Sequence, residues 1–351
     1  MPSPPPSSLG EIGTRVAARI DSLLAAEQQR WVSIDADLAE PFAALRALIG
    51  HGKRLRPAFC HWGWVGAGGD PESATVVDAG AALELLHTFA LAHDDIMDDS
   101  SRRHGLACLH VDFASRHEAR AWRGEARRFG DGAAILIGDL AFVYSDQLLR
   151  DAPAVARDVF DELRLEVNVG QYLDLIGTAS RTASLAQART IGRYKSGKYT
   201  IERPLHLGAA LGGRLDELAQ PFSAYGVPLG EAFQLRDDML GAFGDPAALG
   251  KSVGDDLRSG KPTALFALAR AAATPTDLDL LDTRVGQPDL TDDEVLAILE
   301  IFEATEARAR VETMIGTLRS EALAGLAGAP VPDLVRAELT ALADFVTDRD
   351  H

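Results

Sequence analysis

The amino-acid sequence predicts an all-α protein built as one large helical bundle. Three observations lead there. Apolar residues recur three and four apart over most of the 351 residues, the period of an amphipathic helix. Clean apolar–polar alternation, the mark of a half-buried strand, is absent. No internal repeat of solenoid length and no clear linker divides the chain.

The elements follow in order. The first ten residues, MPSPPPSSLG, have neither a basic start nor an apolar run. They are no secretory signal and read as a disordered tail (1–10), with one helical domain over 11–351. Helices are expected at about 11–30, 36–49 and 57–67, the last opened by Pro57. The segment 73–98 is apolar nearly all round, which suits the middle of a bundle. Further helices are expected at 105–120, 132–149, 153–177 and 184–212. A second apolar helix, 215–242, comes next, then 262–273 behind Pro262, 292–327 and 332–347. The breaks GAGGDP at 66–71 and AFGDP at 242–246 read as loops.

Composition narrows the function. Hydrophobic residues make up 46%, ordinary for a globular protein. No apolar run reaches the ~18 residues of a membrane span. The net charge of -17 disfavours nucleic acid and anionic membrane as partners. Two cysteines, Cys60 and Cys108, make no disulfide framework, which suits a reducing cytoplasm. Of the 35 basic residues only five are lysine: Lys53, Lys195, Lys198, Lys251 and Lys261. They fall in three short stretches, GKRLRP, YKSGKYT and GKSVGDDLRSGKP. Lysine is a compact point charge suited to phosphate and is not interchangeable with arginine. Lys198 is the one most open to a chance explanation.

Two apolar helices end in carboxylates. Segment 73–98 ends in HDDIMDD and segment 215–242 in FQLRDDML. A helix C-terminus is already the negative end of its dipole, so stability alone does not favour this placement. A bound cation does. Asp94 and Asp98 are four apart and share a helix face, as do Asp95 and Asp99. Hard oxygen donors, few in number and without nearby thiols, suit Mg²⁺ that keeps waters and binds substrate phosphates. Gly52-Lys53-Arg54-Leu55-Arg56-Pro57 sets three cations just before a helix start, and Arg102-Arg103 follows the first cluster. Cations and carboxylates therefore alternate, as two separate diphosphates would require.

From about Gly52 to Thr263 the residues resemble the trans-prenyl diphosphate synthase family. LLHTFALAHDDIMDDSSRR is similar to its first aspartate-rich motif with the arginine pair, and GKRLRP to its homoallylic diphosphate site. GQYLDL, YKSGKYT, FQLRDDML and GKSVGDDLRSGKPT are similar to the remaining blocks. The resemblance implies an isoprenoid-synthase bundle with a central substrate cavity. It implies that Asp94, Asp95 and Asp98 bind two Mg²⁺ ions and that Asp237, with Asp238, holds a third. Arg102, Lys195, Lys251, Gln234 and Lys261 would meet the allylic diphosphate. Lys53, Arg56, His87 and Arg103 would meet isopentenyl diphosphate. Gln171 and Asp174 would line the site, Asp174 ordering metal-bound water, and Ser196 stands where the family usually has Thr. Two departures stand out. Gly241 replaces the third aspartate of the second motif, and HGLACLH replaces the usual turn after Arg103.

The same resemblance implies product length. Phe89, five residues before Asp94, with small Ala90 beside it and no insertion between the aspartates, resembles synthases of geranylgeranyl diphosphate. On an ideal wheel Phe89 lies about 140° from Asp94, so this expectation comes from the family rather than from geometry. The family also implies a homodimer. Farnesyl or longer-chain synthesis and a non-catalytic partner subunit are the alternatives. A terpene cyclase would not need GKRLRP and would mix Asn, Ser and Glu in its second motif. Glu84-x-x-His87 fits half of a di-iron carboxylate site, but no second such motif exists.

Overall fold

The computed structural model of the protein describes residues 4–50, 52–103, 105–180, 184–244 and 254–349. The described residues fold into helices: α1 (Ser7–Val32), α2 (Ala39–Ile49), α3 (Leu55–Gly66), α4 (Ala74–Met97), α5 (Leu109–Ala119), α6 (Ala126–Leu148), α7 (Ala154–Ser180) and α8 (Leu185–Gly192). A π-helical stretch, Arg193–Glu202, leads into α9 (Arg203–Leu211) and the long α10 (Leu215–Phe243). The rest comprises α11 (Asp255–Ser259), α12 (Ala264–Ala272), α13 (Pro275–Arg284), α14 (Asp292–Ala304), α15 (Ala307–Ala327) and α16 (Asp333–Asp348).

The core explains the helix that is apolar all round. Ser73 caps α4 by accepting from the Thr75 amide at 3.2 Å. From Ala79 to Leu86 every residue of α4 is buried, against α3 and α9 on one side and α6 on the other. By length and composition α4 is apolar enough to cross a membrane, yet it is mostly covered by its own bundle, as a core helix is. α10 divides its packing. Phe222, Tyr225 and Leu229 join the main core, whereas Leu235 and Met239 join a second core made with α11 to α15. Thus both carboxylate-bearing helix ends are anchored by apolar packing further up the same helix. Neither cysteine forms a disulfide, and both are buried.

Several boundaries differ from the sequence expectation. The tail assigned to 1–10 is too long: α1 begins at Ser7, buries Leu9, and Ser8 donates to Glu338 at 2.7 Å. The single helix expected over 292–327 is broken in two at Glu306, a non-glycine residue with φ +57°. The expected 105–120 helix starts only at Leu109, behind a two-stranded hairpin, β1 (Arg102–Arg103) paired antiparallel with β2 (Leu106–Ala107). Helix α6 starts at Ala126, before the two glycines that masked its beginning. The expected 184–212 helix is three pieces, because the YKSGKYT stretch adopts the rare π form, which marks functional positions more often than chance.

Candidate active site

The first aspartate cluster sits on the last turn of α4, with Asp98 as its C-cap and Asp99 turned to φ +52°. Asp94 is the hub. Its Oδ1 accepts from Gln171 Nε2 on α7 and from Lys195 Nζ on the π stretch, both at 2.9 Å. Lys195 Nζ reaches Asp174 Oδ2 as well, at 2.6 Å. From the hairpin, Arg103 donates to Asp95 at 2.8 Å and to Asp94 at 3.3 Å. Burial opposes the charge of Asp94, but Lys195, Lys261 and Arg103 outweigh it and hold the carboxyl well below the usual range. Asp95 is only 1% exposed, so removing Arg103 would strand a buried charge at a cost of about 3–5 kcal/mol.

Close backbone approach makes this convergence possible. A Cβ on Gly170 would meet the Lys195 amide nitrogen at 2.2 Å, so only glycine lets α7 press against the π stretch. On the other side of that stretch, Gly197 and Gly230 of α10 abut: a Cβ on Gly230 would meet Gly197 Cα at 2.6 Å. The glycines of GQYLDL and YKSGKYT are therefore packing devices that carry Gln171, Asp174 and Lys195 to Asp94.

A second group lies where α3, α4 and the π stretch meet. The Arg56 guanidinium stands 4.2 Å from the Tyr199 ring and donates to Thr200 Oγ1 at 2.9 Å. His87 Nδ1 lies 3.1 Å from the Tyr199 hydroxyl. Arg56 and His87 thus share Tyr199, which the sequence reading did not single out. Burial pushes the Tyr199 phenol up, so it stays protonated. Arg54 pairs instead with buried Glu84, so the middle cation of GKRLRP is structural. Glu84 and His87 have different partners, and the di-iron pattern is a coincidence of spacing. Lys198 is likewise structural, at 2.6 Å from Glu166 and 3.3 Å from Glu202.

The second cluster ends α10. Asp237 pairs with Arg349 from the C-terminal segment, whose guanidinium stands 4.4 Å from the Phe233 ring. Asp238 accepts from Gln234 at 2.7 Å, and burial followed by repulsion from Asp256 pushes its carboxyl up to about 8. Lys261 links the clusters: its Nζ is 2.8 Å from Asp98 Oδ2 and 3.8 Å from Asp256 Oδ1. Arg349 and Asp256 were not foreseen. Asp256 had a signal, since it lies between the lysines of GKSVGDDLRSGKP, but Arg349 had none.

The remaining expectations divide. Arg102 is exposed and bonds the Gly105 carbonyl, so it holds the hairpin turn and is not drawn into the cluster. Arg103 lies with Asp94 and Asp95, not with Arg56. Ser196 is half-buried on the π stretch, and Lys53 precedes α3. Lys251 lies outside the described residues. Phe89 packs 4.8 Å from the Phe142 ring of α6 and 4.6 Å from the His93 ring, and Ala90 is half-buried beside it.

No three described His, Cys, Asp or Glu side chains close on one point at metal-ligand distance. Lysine ammonium groups stand between the carboxylates instead, at Asp94–Asp174 and Asp98–Asp256. The donors are hard oxygens in ones and twos, which fits a cation bound partly by substrate phosphates and water.

An all-helical bundle whose two acidic helix ends are laced by cations defines a class of enzyme that handles polyanionic substrates. Residues 40–302 match the model of the polyprenyl synthetase family. The chain is 32% identical to the short chain isoprenyl diphosphate synthase of Methanothermobacter thermautotrophicus, over 86% of this chain and 87% of that one. It is 31% identical to the geranylfarnesyl diphosphate synthase of Aeropyrum pernix, over 71% and 76%. A solved structure of the geranylgeranyl pyrophosphate synthase of Corynebacterium glutamicum, in complex with isoprenyl diphosphate and magnesium, superimposes with a TM-score of 0.93. That similarity is 37% in identity and spans 97% of this chain and 99% of that one. The chain belongs to the polyprenyl synthetase family and is a prenyltransferase.

Proposed function

We propose that the chain condenses isopentenyl diphosphate with an allylic diphosphate by head-to-tail trans elongation, giving mainly geranylgeranyl diphosphate. The observation that carries this reading is the double lacing of carboxylates by lysine. Lys195 spans Asp94 and Asp174, and Lys261 spans Asp98 and Asp256, so cations already lie where a diphosphate and its counter-ions would bind. Asp94, Asp95, Asp98, Asp237 and Asp238 would hold about three Mg²⁺ ions, with Asp174 ordering their water. Mg²⁺ held there would supply positive charge against the leaving diphosphate.

The chain's own groups do the rest. Lys195 and Lys261, with Lys251 and Gln234, receive the allylic diphosphate, and the positive charge of the lysines favours breakage of its C–O bond. Lys53, Arg56 and His87 hold isopentenyl diphosphate. Its double bond attacks the allylic carbon as the new C–C bond forms. No described carboxylate is placed as an obvious base, so the lost proton goes to the departing diphosphate. Arg103 clasps Asp94 and Asp95 and orients them for the metal, and Arg102 steadies the hairpin.

The geranylgeranyl assignment rests on Phe89, backed by Phe142, and on the Corynebacterium neighbour. The protein acts in the cytoplasm as a homodimer. Leu165, Val169, Tyr172 and Ile176 make one exposed apolar stripe along α7, and Leu136 and Val143 are exposed on α6. Such a stripe calls for a second copy. Asp94→Ala tests the catalytic reading. Turnover should fall about a hundred- to a thousandfold, the scale of losing a preorganised electrostatic group, with the helical fold retained. Near-normal turnover would overturn it.

A further inference from the structure

Arg54 stands just before α3 with its backbone in the left-handed region, at φ 54° and ψ 33°. A residue other than glycine is strained there. Favoured residues at a helix N-cap offer a side-chain oxygen to the first free amides. Arginine has none to offer, and Arg54 makes no such bond. Local stability therefore does not explain an arginine at this position. Tertiary contacts hold it. Its guanidinium pairs with Glu84 of α4 and donates to the Ile49 carbonyl at the end of α2. Its stem lies against α1, where a Cβ on Gly13 would meet Arg54 Cγ at 3.1 Å. The pair is sunk in the bundle, with Glu84 only 4% exposed.

Both ends of this pair lead to one place. Lys53 directly precedes Arg54, and Arg56 follows two residues on. On α4, His87 lies three residues beyond Glu84, a neighbour on the helix surface. Arg56 and His87 converge on Tyr199: the guanidinium is 4.2 Å from its ring, and Nδ1 is 3.1 Å from its hydroxyl. Arg56 also keeps a buried Nε without a partner among the described residues. The Glu84-x-x-His87 spacing thus has a use that needs no iron. Glu84 grips the basic loop, and His87 meets Arg56 across Tyr199.

We propose that Arg54 and Glu84 are positioning residues for isopentenyl diphosphate: their buried ion pair clamps the GKRLRP loop to α4 and so fixes Lys53 and Arg56 relative to His87. Neither member of the pair touches the substrate. The left-handed turn at Arg54 sends the middle cation of the loop into the bundle, while the cations on either side stay outside the pair. The inference rests on the reading of Lys53, Arg56 and His87 as the isopentenyl diphosphate site.

The test is steady-state kinetics of the full chain, with isopentenyl diphosphate varied at saturating farnesyl diphosphate and the reverse, beside thermal melts of the same samples. The double variant Arg54→Gly with Glu84→Met separates positioning from stability. Glycine relaxes the left-handed turn, and no buried charge is left unpaired, so the melt should stay near that of the wild type. KM for isopentenyl diphosphate should nevertheless rise about tenfold or more, the worth of one hydrogen bond to a charged group. The turnover number and KM for farnesyl diphosphate should stay nearly unchanged, the mark of lost binding at one substrate. Glu84→Asp keeps both charges and shortens one arm of the clamp by a carbon. It should raise the same KM roughly threefold, with the fold kept, because a small misplacement is felt at the phosphate. An unchanged KM for isopentenyl diphosphate in either variant would overturn the proposal. So would an equal rise in KM for both substrates. Arg56→Met separates the two levels. If it leaves KM for isopentenyl diphosphate unchanged, the reading of the site itself falls. If it raises that KM while the double variant does not, only the clamp falls.

Discussion

Removing the ring of Phe89 should lengthen the product by one isoprene unit. The ring centroid lies 4.8 Å from that of Phe142 across the α4–α6 contact, and 4.6 Å from His93 one turn along α4. Phe89 is only half-buried, so Phe89→Ala should cost about 3 kcal/mol, the low end for such truncations. A domain of ordinary stability, about 5–15 kcal/mol, survives that loss. One extended isoprene unit is close to the 5.4 Å of a helical turn. Taking one ring out of the wall frees about that length, and Phe142 is then the next obstacle. The main product of Phe89→Ala should therefore carry twenty-five carbons, and adding Phe142→Ala should carry it further. The assay is condensation of isopentenyl diphosphate with farnesyl diphosphate, dephosphorylation of the products, and chromatography with mass detection. An unchanged length distribution in Phe89→Ala, at wild-type turnover, would refute the role of the ring.

Three further outcomes are expected. Tyr199→Phe removes the partner of His87 Nδ1 at 3.1 Å but keeps the ring beside Arg56. It should raise KM for isopentenyl diphosphate about fivefold, the worth of about 1 kcal/mol, with kcat nearly unchanged in steady-state assays. Burial, with Arg15 adding repulsion, pushes the His61 imidazole down to about 4. The unfolded chain then takes up the proton first, so the contribution of His61 is intact above about pH 6.5 and lost as pH falls towards 4. That span is worth roughly 3 kcal/mol, and His61→Gln should flatten it in urea titrations across the window. Val169→Glu, in the exposed stripe of α7, should halve the mass seen by analytical ultracentrifugation while leaving the melting curve of the bundle recognisable.

The sequence made the bundle legible because its period is strong and α4 is apolar on nearly every face. The boundaries of α4 and α10 fall within a residue or so of the expected ones for that reason. The first cluster was legible too, since Asp94, Gln171, Asp174 and Lys195 each lie in a motif. What stayed hidden depends on geometry that no local pattern encodes. The break at Glu306 uses a left-handed residue that is neither Gly nor Asn. The π turn adds a residue per turn without any compositional mark. Arg349 reaches Asp237 across 112 positions of sequence. The approach of the Asp256 carboxylate to Gly241 has no mark in the sequence near either residue. Conversely, Arg54 and Lys198 matched expected phosphate-binding segments but are committed to Glu84 and to Glu166 with Glu202. A motif places cations in a neighbourhood, and only packing decides which of them stay available.

The most direct test of the account is a single incubation series. The protein is supplied with isopentenyl diphosphate, Mg²⁺ and dimethylallyl, geranyl or farnesyl diphosphate in turn, with a chelator control, and the products are identified by mass. The account predicts Mg²⁺-dependent condensation with geranylgeranyl diphosphate as the main product. Failure to incorporate isopentenyl diphosphate with any of the three primers would contradict it.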